Sequence, residues 1–236
     1  MLIFGIDTCC MAATAALVDD CKLVAQTVVN RNKTHSQIMM PQIEEMFNIA
    51  EIDPLDVDVF AAAVGPGSFT GVRIGVATAK AMAQAANRPC VAVSTLEALA
   101  YSSKYFDGIA VPILDARRNQ VYNALFDCGK EGMVRITEDR ALALDALIEE
   151  LKGLDRDCLF MGDGVLAFEG EIREKLGKKA FFAPKTVSMN LGGAVAELGA
   201  EKFKKGETVT YSALVPSYVR LSQAERDRLE KLKAEK

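Results

Sequence analysis

The stretch AAAVGPGSFTGVRIGVATAKAMAQAA, Ala61 to Ala86, restricts the fold of this chain more than any other. An apolar run ends at Val64, a turn GPGSFTG follows, and small residues continue beyond it. The pattern reads as a strand over Val57–Val64, a tight turn, and a helix over 69–86 with Ser68 or Thr70 as its N-cap. That unit belongs to an α/β protein. Glycines let backbone amides approach an anion, and a helix N-terminus favours negative charge. The turn lacks the Gly-Lys-Ser/Thr ending of a P-loop, and its third glycine is misplaced for a dinucleotide fingerprint. Spacing alone therefore favours a steric turn over a phosphate cradle. In the helix, Gly71, Gly75, Ala79 and Ala83 stand four apart on one face. Each helical glycine costs about 1 kcal/mol against alanine. Close packing of a neighbour offsets that cost, either inside the domain or against a partner helix.

The rest of the chain supplies similar units. LIFGID (2–7), TAALVD (14–19) and KLVAQTVVN (22–30) read as an antiparallel meander. THSQIMMPQIEEMFNIA carries Ile38, Met39, Ile43, Met46 and Phe47 at helical spacing, with Met40 widening the stripe and Pro41 inside it. A stripe that wide and rich in adaptable methionine suits a partner surface. RPCVAVS reads as a strand and TLEALAYSSK as a helix. Past Phe106, IAVPILDA and QVYNALFD read as strands around the turn RRN, ITEDRALALDALIEELKG as one amphipathic helix, CLFM as a strand, and MNLGGAVAELGAEKFKKG as a helix ended by Gly206. The order describes a mixed α/β chain with a weak internal duplication.

Several chemistries are excluded by residue type. The chain has 236 residues, six cysteines with no C-x-x-C pair, and one histidine, which argues against a zinc site. His35 lacks a partner for a metal site or a catalytic triad, and a hydrogen bond at a helix start is its expected role. No apolar run reaches the roughly 20 residues of a membrane span. MLIFGID does not resemble a signal peptide, so reduced thiols and a cytoplasmic location are expected. The net charge of −4 is unfavourable for nucleic-acid binding by the chain alone. Asp7, at the end of the first strand, either faces a ligand crevice or caps a turn. Arg117 and Arg118 after Asp115 form a candidate anion-binding pair, or a solvated turn.

GIDT, THSQIMMPQIEEMF, AAAVGPGSFTGVRIGVATAKAMA, VSTLEALA, LDARRNQVYNALF and PSYVR occur in that order from residue 2 to about 220. This combination resembles the TsaB (YeaZ) family of bacterial tRNA threonylcarbamoyladenosine biosynthesis proteins. The resemblance implies an actin-like ATPase (ribonuclease H-like) fold of two related lobes, each a mixed sheet flanked by helices. It places an N-terminal lobe at 1–104, a C-terminal lobe at 105–221 whose last helix packs back on the first, and a charged tail at 222–236. It implies a non-catalytic subunit that dimerises with TsaD and supports threonylcarbamoyl transfer to the adenosine beside the anticodon of tRNAs reading A-starting codons. The ATPase TsaE joins the two, self-pairing uses the same N-lobe helices, and tRNA is met only through the complex. On this reading the chain needs no cofactor, while its partners use ATP and a metal. TsaD-type proteins carry a His-x-x-x-His metal pair where this chain has Thr95 and Leu99, neither an imidazole.

The implied partner interface is Ile38, Met39, Ile43, Met46, Phe47, Gly71, Gly75, Ala79 and Ala83. Asp7, Gly65, Gly67, Ser68 and Thr70 then form a vestigial phosphate site. The rival readings are an ATPase or phosphotransferase using Asp7 and the Gly65–Gly71 loop, a metalloprotease, which one histidine disfavours, and direct tRNA binding through Arg117, Arg118 and the tail.

Overall fold

A computed structural model describes residues 1–31 and 34–220; the charged tail lies outside the described residues. In the first lobe, β1 (Ile3–Asp7), β2 (Ala13–Val18) and β3 (Leu23–Val29) form an antiparallel meander. Helix α1 (His35–Ala50) leads to β4 (Val59–Ala63), α2 (Phe69–Ala86), β5 (Cys90–Val93) and α3 (Thr95–Tyr101). Strands β4 and β5 add in parallel on the other side of β1, giving the order β3-β2-β1-β4-β5.

The second lobe repeats this plan. It comprises β6 (Gly108–Asp115), β7 (Gln120–Asn123), β8 (Phe126–Gly129), β9 (Gly132–Arg135), β10 (Arg140–Ala143), α4 (Leu144–Leu154), β11 (Cys158–Met161), α5 (Gly164–Leu176), β12 (Ala180–Phe182) and α6 (Gly192–Lys204). Its order β10-β7-β6-β11-β12 matches the first sheet strand for strand, with the β8–β9 hairpin added on β6. The segment expected as one helix over 136–153 divides. Arg140–Ala143 pairs with β7 as a strand, and only from Leu144 does the chain turn helical. Over four residues the two periodicities are hard to separate, and the open edge of β7 decides. Strand β9, helix α5 and strand β12 were absent from the sequence reading.

Strands β1 and β4 are buried on both faces. On one face Phe4 stacks on Phe47 of α1 at 6.0 Å. On the other, Gly5 and Ala61 meet α6 so closely that a Cβ on Gly5 would lie 2.9 Å from that of Ala196. The helix that ends the second lobe's strand–helix series therefore completes the core of the first. Gly206, in a left-handed conformation, stops α6.

The bare ridge of α2 points inward, which corrects the expected partner interface. A Cβ on Gly75 would lie 2.6 Å from Thr8 Oγ1, and one on Gly71 would overlap the Thr8 carbonyl oxygen. Thr8 Oγ1 donates to the Gly71 carbonyl at 2.7 Å. Ala79 and Ala83 are buried with them. Met39, Ile43, Met46 and Phe47 likewise fill the lobe's own core, and Ile38 is half-buried at its edge. The glycines are there because β1 and the turn after it run against the helix backbone. Gly75→Leu is accordingly expected to destabilise the isolated chain by about 1–3 kcal/mol, read as a lowered urea midpoint. An unchanged midpoint would put the ridge back at the surface.

Candidate functional site

Each lobe ends its first strand in an aspartate followed by a hairpin turn. Asp7 Oδ1 accepts the Cys9 amide at 2.7 Å, and Asp115 Oδ1 accepts the Arg117 amide at 2.7 Å. Both carboxylates thus clamp the turn that follows them. The two turns face one another across an interlobe cleft of about 710 Å³. The first lobe contributes Cys9, Cys10, Met11 and Gly67–Phe69; the second contributes Leu114–Arg118, Tyr122, Asp163, Leu166 and Ala167; Arg220 also lines it. The cleft therefore brings Gly67 and Ser68 together with Arg117 and Arg118, while Asp7 lies fully buried beneath it.

The glycine loop is engaged with its own protein. Ser68 caps α2, its Oγ accepting the Gly71 amide at 3.2 Å. The Ser68 amide donates to the Cys9 carbonyl at 2.7 Å. Gly67, at φ 158°, lies against Cys9 with no room for a side chain, and Gly65, at φ 119°, lies against the Ser217 carbonyl. Thr70 is exposed at the first turn of α2. Two amides that an anion would use are spent on internal bonds, and the gap between loop and β1–β2 turn is filled. These residues do not fit a phosphate held in the loop.

Burial pushes the Asp7 carboxyl up to about 6. Its Oδ2 has no hydrogen-bond partner among the described residues, and neither does Oδ1 of the buried Asn190, the amide beside it. Asp163 is also raised by burial, and the amides of Asp115 and of Met11 from the opposite lobe face it. The Cys9 and Cys10 thiols are pushed well up by the same desolvation, which makes them inert rather than nucleophilic. His35 Nε2 donates to the Cys10 carbonyl at 2.9 Å and fastens the start of α1 to the β1–β2 turn. Thr95 and Leu99 are both buried in the core. Among the described residues no three His, Cys, Asp or Glu side chains cluster as a metal site.

The sequence reading missed Met11, Asp163, Leu166 and Asn190, and gave Tyr218 and Arg220 no role. Ser217 donates its amide to the Val64 carbonyl at 2.7 Å, Tyr218 stacks on Phe69 at 4.9 Å, and Arg220 donates to the Ala116 carbonyl at 2.9 Å. The segment PSYVR thereby straps the glycine loop to the second lobe. Its mix of Pro, aromatic and Arg was visible; its destination was not.

Two mixed sheets of one topology around a cleft form the actin-like ATPase fold. Consistent with this, a solved hexokinase of the ROK type from Thermus thermophilus superposes with a TM-score of 0.51 at 11% identity, over 86% of this chain and all of that one. A Pseudomonas aeruginosa structure described as similar to peptidase YEAZ superposes with a TM-score of 0.77 at 22% identity, over 93% of this chain and 99% of that one. A family model described as TsaD, tRNA N6-adenosine threonylcarbamoyltransferase, matches residues 22–227. The tRNA threonylcarbamoyladenosine biosynthesis protein TsaB of Bacillus subtilis (strain 168) is 36% identical over 233 residues, covering 99% of this chain and 100% of that protein. The chain belongs to the TsaB family.

The Asp7 environment makes a stability prediction with a definite sign. A carboxyl raised from 3.8 to about 6 in the folded state contributes stability below about pH 4, and that contribution is lost as pH rises through about 6. Asp7→Asn keeps the oxygen that accepts the Cys9 amide and removes the charge. It is expected to raise stability at pH 7 by about 3 kcal/mol and to flatten the fall between about pH 4 and 6, leaving the part due to Asp163. Measured unfolding free energies across that range test this; a loss of stability at pH 7 would mean that the ionised carboxylate is held by a partner.

Proposed function

We propose that this chain is a non-catalytic partner of a TsaD-type protein in forming threonylcarbamoyladenosine in tRNA, beside the anticodon of tRNAs reading A-starting codons. The observation that carries this reading is end-to-end similarity to a TsaB protein combined with Thr95 and Leu99 where a metal-binding histidine pair would stand. The filled glycine loop supports it and weighs against the rival ATPase or phosphotransferase. In this reading the chain brings no cofactor. ATP and metal belong to TsaE and TsaD, and the same surface serves self-pairing.

The partner surface moves to the opposite side of α2. Two residues on from the buried ridge, about 200° around the helix, Ala77, Ala81 and Ala85 are exposed at a spacing of four. Ile74, Thr78 and Met82 flank them half-buried, and Met40 of the adjacent α1 is 51% exposed. Small and apolar, this face suits close approach by another helix.

Ala81→Glu is expected to weaken heterodimer formation at least roughly tenfold by calorimetry, with the chain's own stability within about 0.5 kcal/mol of native. Co-purification with TsaD and TsaE, followed by tRNA modification with and without this chain, tests the function itself. Full activity in its absence would reject the partner reading, and an unchanged affinity of the variant would reject only the surface.

A further inference from the structure

The mouth of the interlobe cleft carries a feature that the partner role leaves unused. Arg117, Arg118 and Asn119 are three consecutive non-glycine residues in the left-handed region, at φ 66°, 55° and 55°. Each such residue costs about 1–2 kcal/mol, and asparagine tolerates the conformation far better than arginine does. The turn is held by the Arg117 amide on Asp115, the Ala116 amide on the Gln120 carbonyl at 2.9 Å, and the Leu144 amide on the Asn119 carbonyl at 3.3 Å. Those bonds fix a backbone that glycine or asparagine would adopt with less strain. Two arginines there are explained by their side chains. Strain of this kind collects at binding sites.

Both side chains stand in solvent at the cleft. Arg117 is 87% exposed, and its one ion pair among the described residues, to Asp115 at 3.4 Å, is of the weak surface kind. Arg118, Arg73 and Arg220 have no carboxylate within 4 Å among the described residues. Arg220 lines the same cleft, and Arg73 bonds Tyr218 at 2.8 Å beside it. Tyr218, stacked on Phe69, is 44% exposed. The lip also carries exposed apolar side chains, Leu166 of the same lobe at 79% and Met11 of the first lobe at 50%. The acids present, Asp115 and Asp163, accept backbone amides, and Asp163 is largely buried. The arginines sit at the rim rather than the floor. That placement suits a polymer backbone laid across the mouth better than a small anion enclosed below.

The geometry points to the cleft mouth as a binding site for single-stranded RNA, with phosphates on Arg117 and Arg118 and an unpaired base entering against Leu166 and Phe69. Phosphate contacts by rim cations and stacking on apolar or aromatic faces are how unpaired loops are held. The site rests on the proposed function only in the choice of RNA over DNA. It differs from a phosphate held in the glycine loop, which the loop's own bonds disfavour. The net charge of −4 disfavours binding by the chain alone, and the cations gathered at the cleft mouth offset it locally.

The test uses the isolated chain, so it is independent of TsaD. Fluorescence anisotropy with a labelled anticodon stem-loop RNA is measured between about 50 and 200 mM salt. Arg117→Gln with Arg118→Gln is expected to weaken binding roughly tenfold and to reduce the log–log salt slope by about 1.4, at about 0.7 per single-strand phosphate contact. Arg118→Asn, which suits the left-handed turn, is expected to give about half that slope change with unaltered melting. Leu166→Ser is expected to weaken binding a few-fold at unchanged slope. Equal binding by native and variant chains, or equal binding of a fully paired duplex, would overturn the proposal. So would arginine-dependent binding of free AMP without binding of the RNA, which would replace the polymer by a small nucleotide.

Discussion

The contact between the first turn of the sheet and the backbone of α2 organises this molecule. Thr8 hydrogen-bonds the Gly71 carbonyl, and its own atoms occupy the space that side chains at 71 and 75 would need. One turn earlier, the Cys9 carbonyl takes the Ser68 amide and Gly67 closes over it. A strand, a loop and a helix are thereby locked at backbone distance. The same contact that makes the lobe rigid uses an amide that a bound anion would take. Glycines in such a loop are necessary for a phosphate cradle but equally necessary for this lock, and the hydrogen-bond partners decide between them.

The two lobes share a topology and a device, the aspartate that clamps its hairpin turn, yet they use the result differently. Asp7 is sealed under the β1–β2 turn, so burial makes its charge a burden and raises its carboxyl, and its Oδ2 has no partner among the described residues. Asp115 stands at the cleft edge and holds a turn that projects into solvent. Gly162 presses on the Ile113 carbonyl much as Gly67 presses on Cys9, but the residue after it is Asp163 rather than a helix-capping serine. A duplicated frame has left one closed turn and one open turn facing each other. The difference between them gives the cleft its chemistry.

Much of this frame was legible in the residues. The strands of the first lobe, α1, α2 and the cap Ser68 follow from periodicity and local hydrogen-bonding rules, which act over a few residues. Arg140–Ala143 was misread because its pairing with β7 is a tertiary fact. The site was legible by element and not by direction. Asp7, the loop and the double arginine all sit at the cleft or beneath it, but which amides are already spent depends on a turn sixty residues earlier in the chain. Asn190 and Arg220 reach the first lobe and the cleft only because α6 and the strap return across the lobe boundary. Separation in sequence leaves no local signal for such contacts.

Helix α2 shows why the direction matters most. It carries small residues on two opposite faces, 71-75-79-83 and 77-81-85, and both have a period of four. Composition cannot say which looks inward. The inner ridge has glycine where the sheet backbone comes closest and alanine where there is room for one methyl group. The outer ridge, Ala77, Ala81 and Ala85, is exposed. A helix with a ridge of small residues on each of two faces can be approached closely from either side. The lobe uses one side for its own core, and this leaves a flat, weakly polar face that gains nothing from solvent. Association with a second helix is the process that would bury it.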